Sequence, residues 1–555
     1  MKNKKNSTGI FKIMLMLFGI AVIFSLGLNT TAAANTSIYV STHGNNSWDG
    51  LNPIWNGTSG PKATINNATG TVKSNGTVHI ASGTYKENKI NINKNMNIIG
   101  ANQKNTIIYG TNTGTIFNIA SGIKVTIINL KLTNGTTSNG GAIQNNGILN
   151  IKNSTFTNNK ATMGGAIYNI GTLTVSDCNF TSNNGTYGGA VYNDNYMTVL
   201  NSIFTSNIAS DSGGGIYNYY TNNNKGILTV TGTTFTGNKA IYGGAIIAIS
   251  HFGTVNVTGS IFKSNLATWG GAIYNGDTLH VKSSTFTGNT ATNCGGALYN
   301  EGKANLQFNQ IIKNTAKNQG SAIYNDLGTA NLSLNWWGTN TNPSKNVYGT
   351  NIQKWLVLSI KANPKTIPNN GISTITTDLL HNNLGTLETG HVPNGITVNF
   401  ATTLGTIINK ASIINGVAKA TLKSGPSHGI ATISAKSDSQ TVKTSVKIRD
   451  TIAPKVSSTT PKNLSTATSR TGTIIIKFSE NIKASNYYKN IKVKNISTGK
   501  YVTITKTISG NTLSIKTGKK GASNWYLIII PKAAIKDLAG NNLVTSYNFK
   551  FKTRN

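Results

Sequence analysis

The chain has 555 residues, only 12% of them charged, with 50 Lys and Arg against 14 Asp and Glu and a net charge of +36. Its 20 Tyr, 16 Phe and 7 Trp exclude an intrinsically disordered chain, and its wealth of Gly, Thr and Asn (about one residue in seven is Asn) excludes a helical bundle. Two cysteines cannot staple a protein of this length, so disulfides do not organise it.

At the N-terminus Lys2, Lys4, Lys5 and Lys12 precede an apolar run over residues 13–28, followed by Ala32-Ala33-Ala34. That order is charged region, apolar region and small-residue cleavage site, and it predicts a secretory signal over residues 1–34. The run is shorter than the roughly 20 residues a membrane-spanning helix needs. No second run of spanning length follows, so the expected location is secreted or at the cell surface, without a membrane anchor in the mature chain.

Residues 35–355 repeat. Gly140-Gly141-Ala142-Ile143-Gln144-Asn145 recurs in recognisable form from Gly164, Gly188, Gly213, Gly243, Gly270, Gly295 and Gly320, at intervals of 24 to 30 residues. A second string keeps pace with it: Phe156/Asn159, Phe180/Asn183, Phe204/Asn207, Phe235/Asn238, Phe262/Asn265, Phe286/Asn289 and Ile311/Asn314. Alternating apolar stretches such as Leu149-Asn150-Ile151 lie between, so each period reads as three short strands separated by Gly/Asn corners. A unit so small cannot bury its own apolar side, whereas stacked units can. The prediction is a parallel β-helix rising about 4.8 Å per coil, with inward Ile, Leu and Phe in apolar columns and inward Asn in amide ladders. Cys178 falls in a Ser/Thr column and Cys294 beside a Gly-Gly, roughly 20 Å apart at that rise and beyond disulfide reach.

Residues 356–449 alternate as short strands with Gly and Asn turns, which suggests a β-sandwich. Asp450-Thr451-Ile452-Ala453-Pro454 reads as a linker, and residues 450–555 are again sandwich-like. This last segment is the most basic, with 18 Lys and Arg against 3 acids. It would attract an anionic envelope through many weak, salt-sensitive contacts. Nucleic acid is not the expected partner, because Arg449, Arg470 and Arg554 are the only arginines and base or phosphate forks favour Arg.

In the repeat, an inward Ile at the Gly-Gly-Ala-Ile-Tyr-Asn position turns the following Tyr outward. Tyr168, Tyr192, Tyr217, Tyr274, Tyr299 and Tyr324 would line one flank, broken at Ile247, beside a second column of Met163, Tyr187, Tyr242 and Trp269. Aromatic ladders suit stacking on sugar rings, and they also stabilise the ladder itself. Glycoside hydrolysis needs two carboxylates flanking one bond. Glu301 and Asp326 stand about 5 Å apart in one column by the coil rise, close enough to pair or to share a Ca²⁺. The reading adopted for them is solvated turn acids, with no catalytic residue, no metal site and no cofactor. His43, His79, His251 and His280 are isolated and read as surface residues.

The alternation of Gly-Gly-Ala-Ile with Phe-x-x-Asn resembles the repeat of polymorphic outer-membrane proteins and of adhesin-like surface proteins of methanogenic archaea. Ile38-Tyr39-Val40, Trp48-Asp49-Gly50, Gly83-Thr84-Tyr85 and Ile98-Ile99-Gly100 resemble the opening coils of the right-handed, pectin-lyase-like β-helix superfamily, with 61–72 as its capping segment. Asn335-Trp336-Trp337-Gly338 looks like the closing coil of the archaeal group. Ile372–Thr376, Val392–Phe400 and Asn415–Leu422 are similar to invasin- and intimin-type bacterial Ig-like domains, and 455–555 resembles the Ig-like module of S-layer proteins. These resemblances imply an all-β chain: a right-handed parallel β-helix followed by two Ig-like β-sandwich domains that act as spacers or stalks. The implied function is a non-catalytic, secreted cell-surface adhesin whose β-helix flank binds cell-wall or extracellular polysaccharide or a partner-cell surface. The alternative carried by the same superfamily is a β-helix polysaccharide lyase or glycoside hydrolase.

Overall fold

The computed structural model describes residues 36–220, 226–249 and 253–555; the signal segment and His251 lie outside the described residues. The repeat winds into a parallel β-solenoid. Three long parallel sheets of 12, 10 and 11 strands form its main walls. They start at Ser37–Val40, Gly83–Lys86 and Ile90–Ile92 respectively.

Register is kept from coil to coil, as the repeat requires. Phe156, Phe180 and Phe204 are direct strand partners, with ring centroids 4.7 and 4.6 Å apart and nearly parallel planes. The column continues through Phe235, Phe262 and Phe286. These six rings are fully or almost fully buried. Each contributes its large apolar area and an offset-stacking gain of about 0.5–1.5 kcal/mol per contact.

The corners are closed by amides. Asn159, Asn183, Asn207, Asn238, Asn265, Asn289 and Asn314 form one continuous ladder, each Oδ1 accepting both the backbone N–H and Nδ2 of the preceding Asn. A second ladder runs Asn145, Asn169, Asn193, Asn218. It stops where Ala248 takes the place of Asn, and resumes at Asn275, Asn300 and Asn325. At the interruption the buried Asn218 Nδ2 finds no partner among the described residues.

The structure adds to the three-strand reading of each period. A short fourth wall follows the Phe-x-x-Asn corner, as strands Thr136–Asn139, Lys160–Met163, Asn184–Tyr187 and Ile208–Ser212, then Leu266–Trp269, Thr290–Cys294 and Thr315–Ala316. Gly-Gly ends this wall because nothing larger fits. Gly188 sits at φ 73°, and a Cβ there would lie 2.2 Å from the Val191 carbonyl oxygen.

At the first coil a seven-residue helix, Ile65–Thr71, packs over the opening strands and buries Ile65 and Ala68. Thr64 caps it, and the Glu87 carboxylate accepts the N–H groups of Ile65 and Asn66 at 2.7 and 2.9 Å. At the last coil the Ser/Thr column ends in two amides, Asn335 Oδ1 accepting the backbone N–H and Nδ2 of Asn309. Of the neighbouring tryptophans, Trp337 packs into the solenoid core and Trp336 into the core of the following sandwich.

That sandwich pairs a three-stranded sheet with a five-stranded one. It is pinned to the solenoid at Asp438, which accepts the Trp336 indole N–H at 2.6 Å and the Gln310 amide at 3.0 Å. The last sandwich pairs two four-stranded sheets around Ile474, Ile476, Phe478, Val493, Ile528 and Phe551. Both cysteines are free, Cys178 buried in its Ser/Thr column and Cys294 half-buried.

Candidate functional site

The outward tyrosines form the column the repeat predicts. Tyr168, Tyr192 and Tyr217 are successive strand partners, Ile247 follows, and Tyr274, Tyr299 and Tyr324 continue. Centroids of stacked neighbours lie 5.0–5.2 Å apart on either side of Ile247. The ladder runs one ring further than the sequence indicated, onto Tyr348 at 4.8 Å. Tyr348 was hidden because Val347–Tyr348 follows a coil without the Gly-Gly signature.

The ladder is less open than its outward direction suggests. Tyr192, Tyr217, Tyr274 and Tyr299 are only 7–9% exposed. The fourth wall is the reason: it brings Met163, Tyr187, Tyr242, Trp269 and Cys294 over the tyrosine edges, and together they make a small apolar core outside the tube. Tyr242 stacks on Trp269 at 5.0 Å and meets Tyr274 edge-on at 5.5 Å. Solvent reaches this cluster through half-buried Tyr168, Trp269 and Tyr324 and through Tyr348, which is 44% exposed.

The two column acids belong to the same cluster. The Tyr299 hydroxyl donates to Asp326 Oδ2 at 2.8 Å, and the Tyr274 hydroxyl is held by Glu301. Burial, reinforced by these carboxylates, holds both hydroxyls far above their ordinary titration range, so they remain donors. Each acid thus closes a tyrosine from the preceding coil. Asp277, one coil before Glu301, is buried and accepts the Gly253 N–H at 2.9 Å.

His280 is exposed, as expected of an outward strand residue, and His43 lies on the surface. His79 is half-buried against Tyr39, with centroids 5.1 Å apart, and burial lowers its pKa.

One grouping escaped the sequence reading. Asp450, Glu480 and Asp537 place carboxylate oxygens within 4.8 Å of one another, the only such acidic grouping among the described residues. Asp537 is tied down by the N–H groups of Gly540 and Asn541. Burial and its two acidic neighbours raise the Glu480 pKa. The available signal was that these are the only three acids in residues 450–555.

Comparison with known proteins identifies two elements. The model of the Chlamydia polymorphic membrane protein repeat matches residues 153–170, 201–219 and 283–301, each match beginning before a Phe-x-x-Asn corner and ending in or beside the next Tyr-Asn strand. The model of a bacterial Ig-like domain matches residues 450–553. No curated protein matches the chain. Among solved structures, the adhesin InvE of Yersinia pseudotuberculosis is 17% identical over 35% of this chain, with a TM-score of 0.23. A C-terminal fragment of intimin, in complex with the intimin-binding domain of its translocated receptor, is 18% identical over 36%, with a TM-score of 0.18. A structure of titin A168169 is 11% identical over 36% of this chain and 97% of its own length, with a TM-score of 0.22. The chain spans 58% of the InvE structure and 64% of the intimin fragment. No helix among the described residues is long and apolar enough to cross a membrane.

Proposed function

We propose that the protein is a non-catalytic, secreted cell-surface adhesin. Its solenoid flank contacts glycan or a partner-cell surface, its Ig-like modules serve as a stalk, and its basic last module is retained on an anionic envelope. The observation that carries this reading is the aromatic cluster on the fourth-wall side, packed outside the tube and continuous with half-open Trp269, Tyr324 and Tyr348. Rings held rigid by stacking present amphipathic area at little entropic cost. A chain built only for stiffness has no need of a second apolar cluster outside its core.

Polymorphic-membrane-protein repeats next to a bacterial Ig-like domain fit the same reading. So does the engagement of Glu301 and Asp326 by tyrosine hydroxyls, which ties them to the ladder rather than leaving them open to flank a glycosidic bond.

The test is a glycan array and a whole-cell binding assay with the secreted chain, compared with Trp269→Ala and with Tyr324→Ala/Tyr348→Ala. Binding that falls at least about tenfold in the variants, with unchanged circular dichroism, supports the proposal. Blank arrays and blank cells would make the protein a structural envelope component. Polysaccharide cleavage that disappears in Glu301→Gln/Asp326→Asn would make it an enzyme.

A further inference from the structure

We propose that the outer face of one sheet of the last module, formed by Lys492–Asn495, Trp525–Ile530, Tyr547–Lys552 and Tyr501–Val502, is the binding surface for a carboxylated polysaccharide. This deepens the reading above, on which it rests, by naming where the basic module meets its partner and what that partner is.

Strand register fixes the face. Trp525, Leu527 and Ile529 run down the central strand with their side chains outward, while Tyr526, Ile528 and Ile530 are buried. On one neighbour Lys494 is opposite Leu527 and Lys492 opposite Ile529; on the other Lys550 is opposite Leu527 and Lys552 opposite Trp525. The result is an apolar rail between two lysine rails, each about 4.8 Å from the centre by strand spacing. Aromatic rings sit at its margins. Lys492 Nζ lies 5.0 Å and Lys494 Nζ 5.8 Å from the Tyr501 ring centre, and Lys550 Nζ lies 5.5 Å from the Trp525 ring centre. Tyr501 is 58% exposed.

The charge is unopposed. No acidic side chain lies on this face, because the three acids of residues 450–555 are gathered around Asp450. Among the described residues the only ion pairs join a His to an Asp, so none of these lysines is neutralised.

A carboxylated sugar polymer is complementary to this pattern. Its rings present C–H faces to Trp525, Leu527 and Ile529, and carboxylates on its two edges meet the flanking ammonium groups. A lipid surface fits less well, since Trp525, Leu527 and Ile529 are only partly exposed on a flat sheet and offer little apolar area to sink into a bilayer. A nucleic acid fits less well too, since the face offers no arginine fork for phosphates or base edges.

The experiment uses the full secreted chain on immobilised polygalacturonate, with dextran, double-stranded DNA and phosphatidylglycerol vesicles as comparators. The expected result is retention on polygalacturonate, loss of at least about tenfold in affinity for Lys494→Glu/Lys550→Glu, and at least about threefold for Trp525→Ala. Lys477→Glu/Lys516→Glu, on the module's other sheet, makes the same charge change and is expected to cost less than about twofold. Equal losses in the two double variants would overturn the proposal, because binding would then follow net charge alone. Tighter binding to DNA or vesicles, or equal binding to dextran, would overturn it as well. Failure here alongside intact whole-cell adhesion leaves the solenoid reading standing. Polygalacturonate binding with a solenoid blank on all cells does the reverse.

Discussion

Removal of one rung from the continuous amide ladder tests the principle on which the tube is built. Asn207 Oδ1 accepts the Asn183 backbone N–H at 3.0 Å and the Asn183 Nδ2 at 2.9 Å. Its own Nδ2 donates to the Phe180 carbonyl at 2.9 Å and to Asn238 Oδ1 at 3.0 Å. In Asn207→Ala the Asn183 backbone N–H loses its acceptor in a site with no solvent exposure. An orphaned buried donor costs about 1–3 kcal/mol, and the remaining lost bonds bring the total to about 3–5 kcal/mol. That is a large part of the roughly 5–15 kcal/mol that holds a folded domain together. Because each coil touches only its neighbours, the damage should be local. Urea unfolding followed by circular dichroism gives the total, and hydrogen exchange should show the Asn183 amide opening first. Asn207→Asp sharpens the test. It keeps the acceptor but points an anionic oxygen at the Phe180 carbonyl and Asn238 Oδ1, which raises the new carboxyl's pKa. The folded pKa then exceeds the unfolded one, so stability should return as pH falls through it and be lost as pH rises. A loss under about 1 kcal/mol in Asn207→Ala, with the Asn183 amide still protected, would refute the ladder as a source of stability.

Asp438→Ala should leave the fully buried Trp336 indole N–H without its acceptor and cost about 1.5–3 kcal/mol at the solenoid–sandwich junction; unchanged limited proteolysis and Trp fluorescence would contradict this. Glu480 has a pKa raised by burial and by Asp537 and Asp450, so its charge opposes folding at neutral pH and that opposition fades as pH falls through the raised value. Glu480→Gln should therefore raise the Tm of the last module at pH 7 and flatten its gain on acidification; an unchanged or lower Tm would count against it. The Cys178 thiol, pushed by burial up to about 12, should resist Ellman's reagent at pH 8 until the chain unfolds, whereas half-buried Cys294 reacts. Equal rates in the native protein would place Cys178 outside its column.

What was legible in the sequence is what stacking makes periodic. Phe156, Phe180 and Phe204 recur because each fills the same inward space one coil on, and Cys178 could be assigned to its column because serines precede and follow it at the repeat interval. The fourth wall was not legible. In Lys160–Met163 and its successors the second residue is the small buried one, Ala161, Gly185, Ala209, Ala267 and Ala291, so no large core-facing side chain marks the strand. The cover this wall provides was lost with it, so the tyrosine flank read as open. The acidic grouping was hidden for a different reason: Asp450, Glu480 and Asp537 are far apart in the chain and meet only through non-local strand pairing in the last sandwich.

The coil carrying Ile247 and Ala248 shows how inside and outside are coupled. Strand alternation forces adjacent residues to opposite faces, so this coil changes both columns at once, with Ala for Asn inward and Ile for Tyr outward. The amide ladder is interrupted there, and the tyrosine ladder is split into a block of Tyr168, Tyr192 and Tyr217 and a block of Tyr274, Tyr299, Tyr324 and Tyr348. Ile247 is 2% exposed, so the gap is filled rather than open and the outer cluster stays continuous. Both carboxylates that engage the ladder, Glu301 and Asp326, belong to the second block, as do Trp269 and the exposed Tyr348. Aromatic faces and polar edges therefore occur together in the C-terminal half of the solenoid, nearest the sandwich that Asp438 locks in place, which is where the proposed binding should be lost first on substitution.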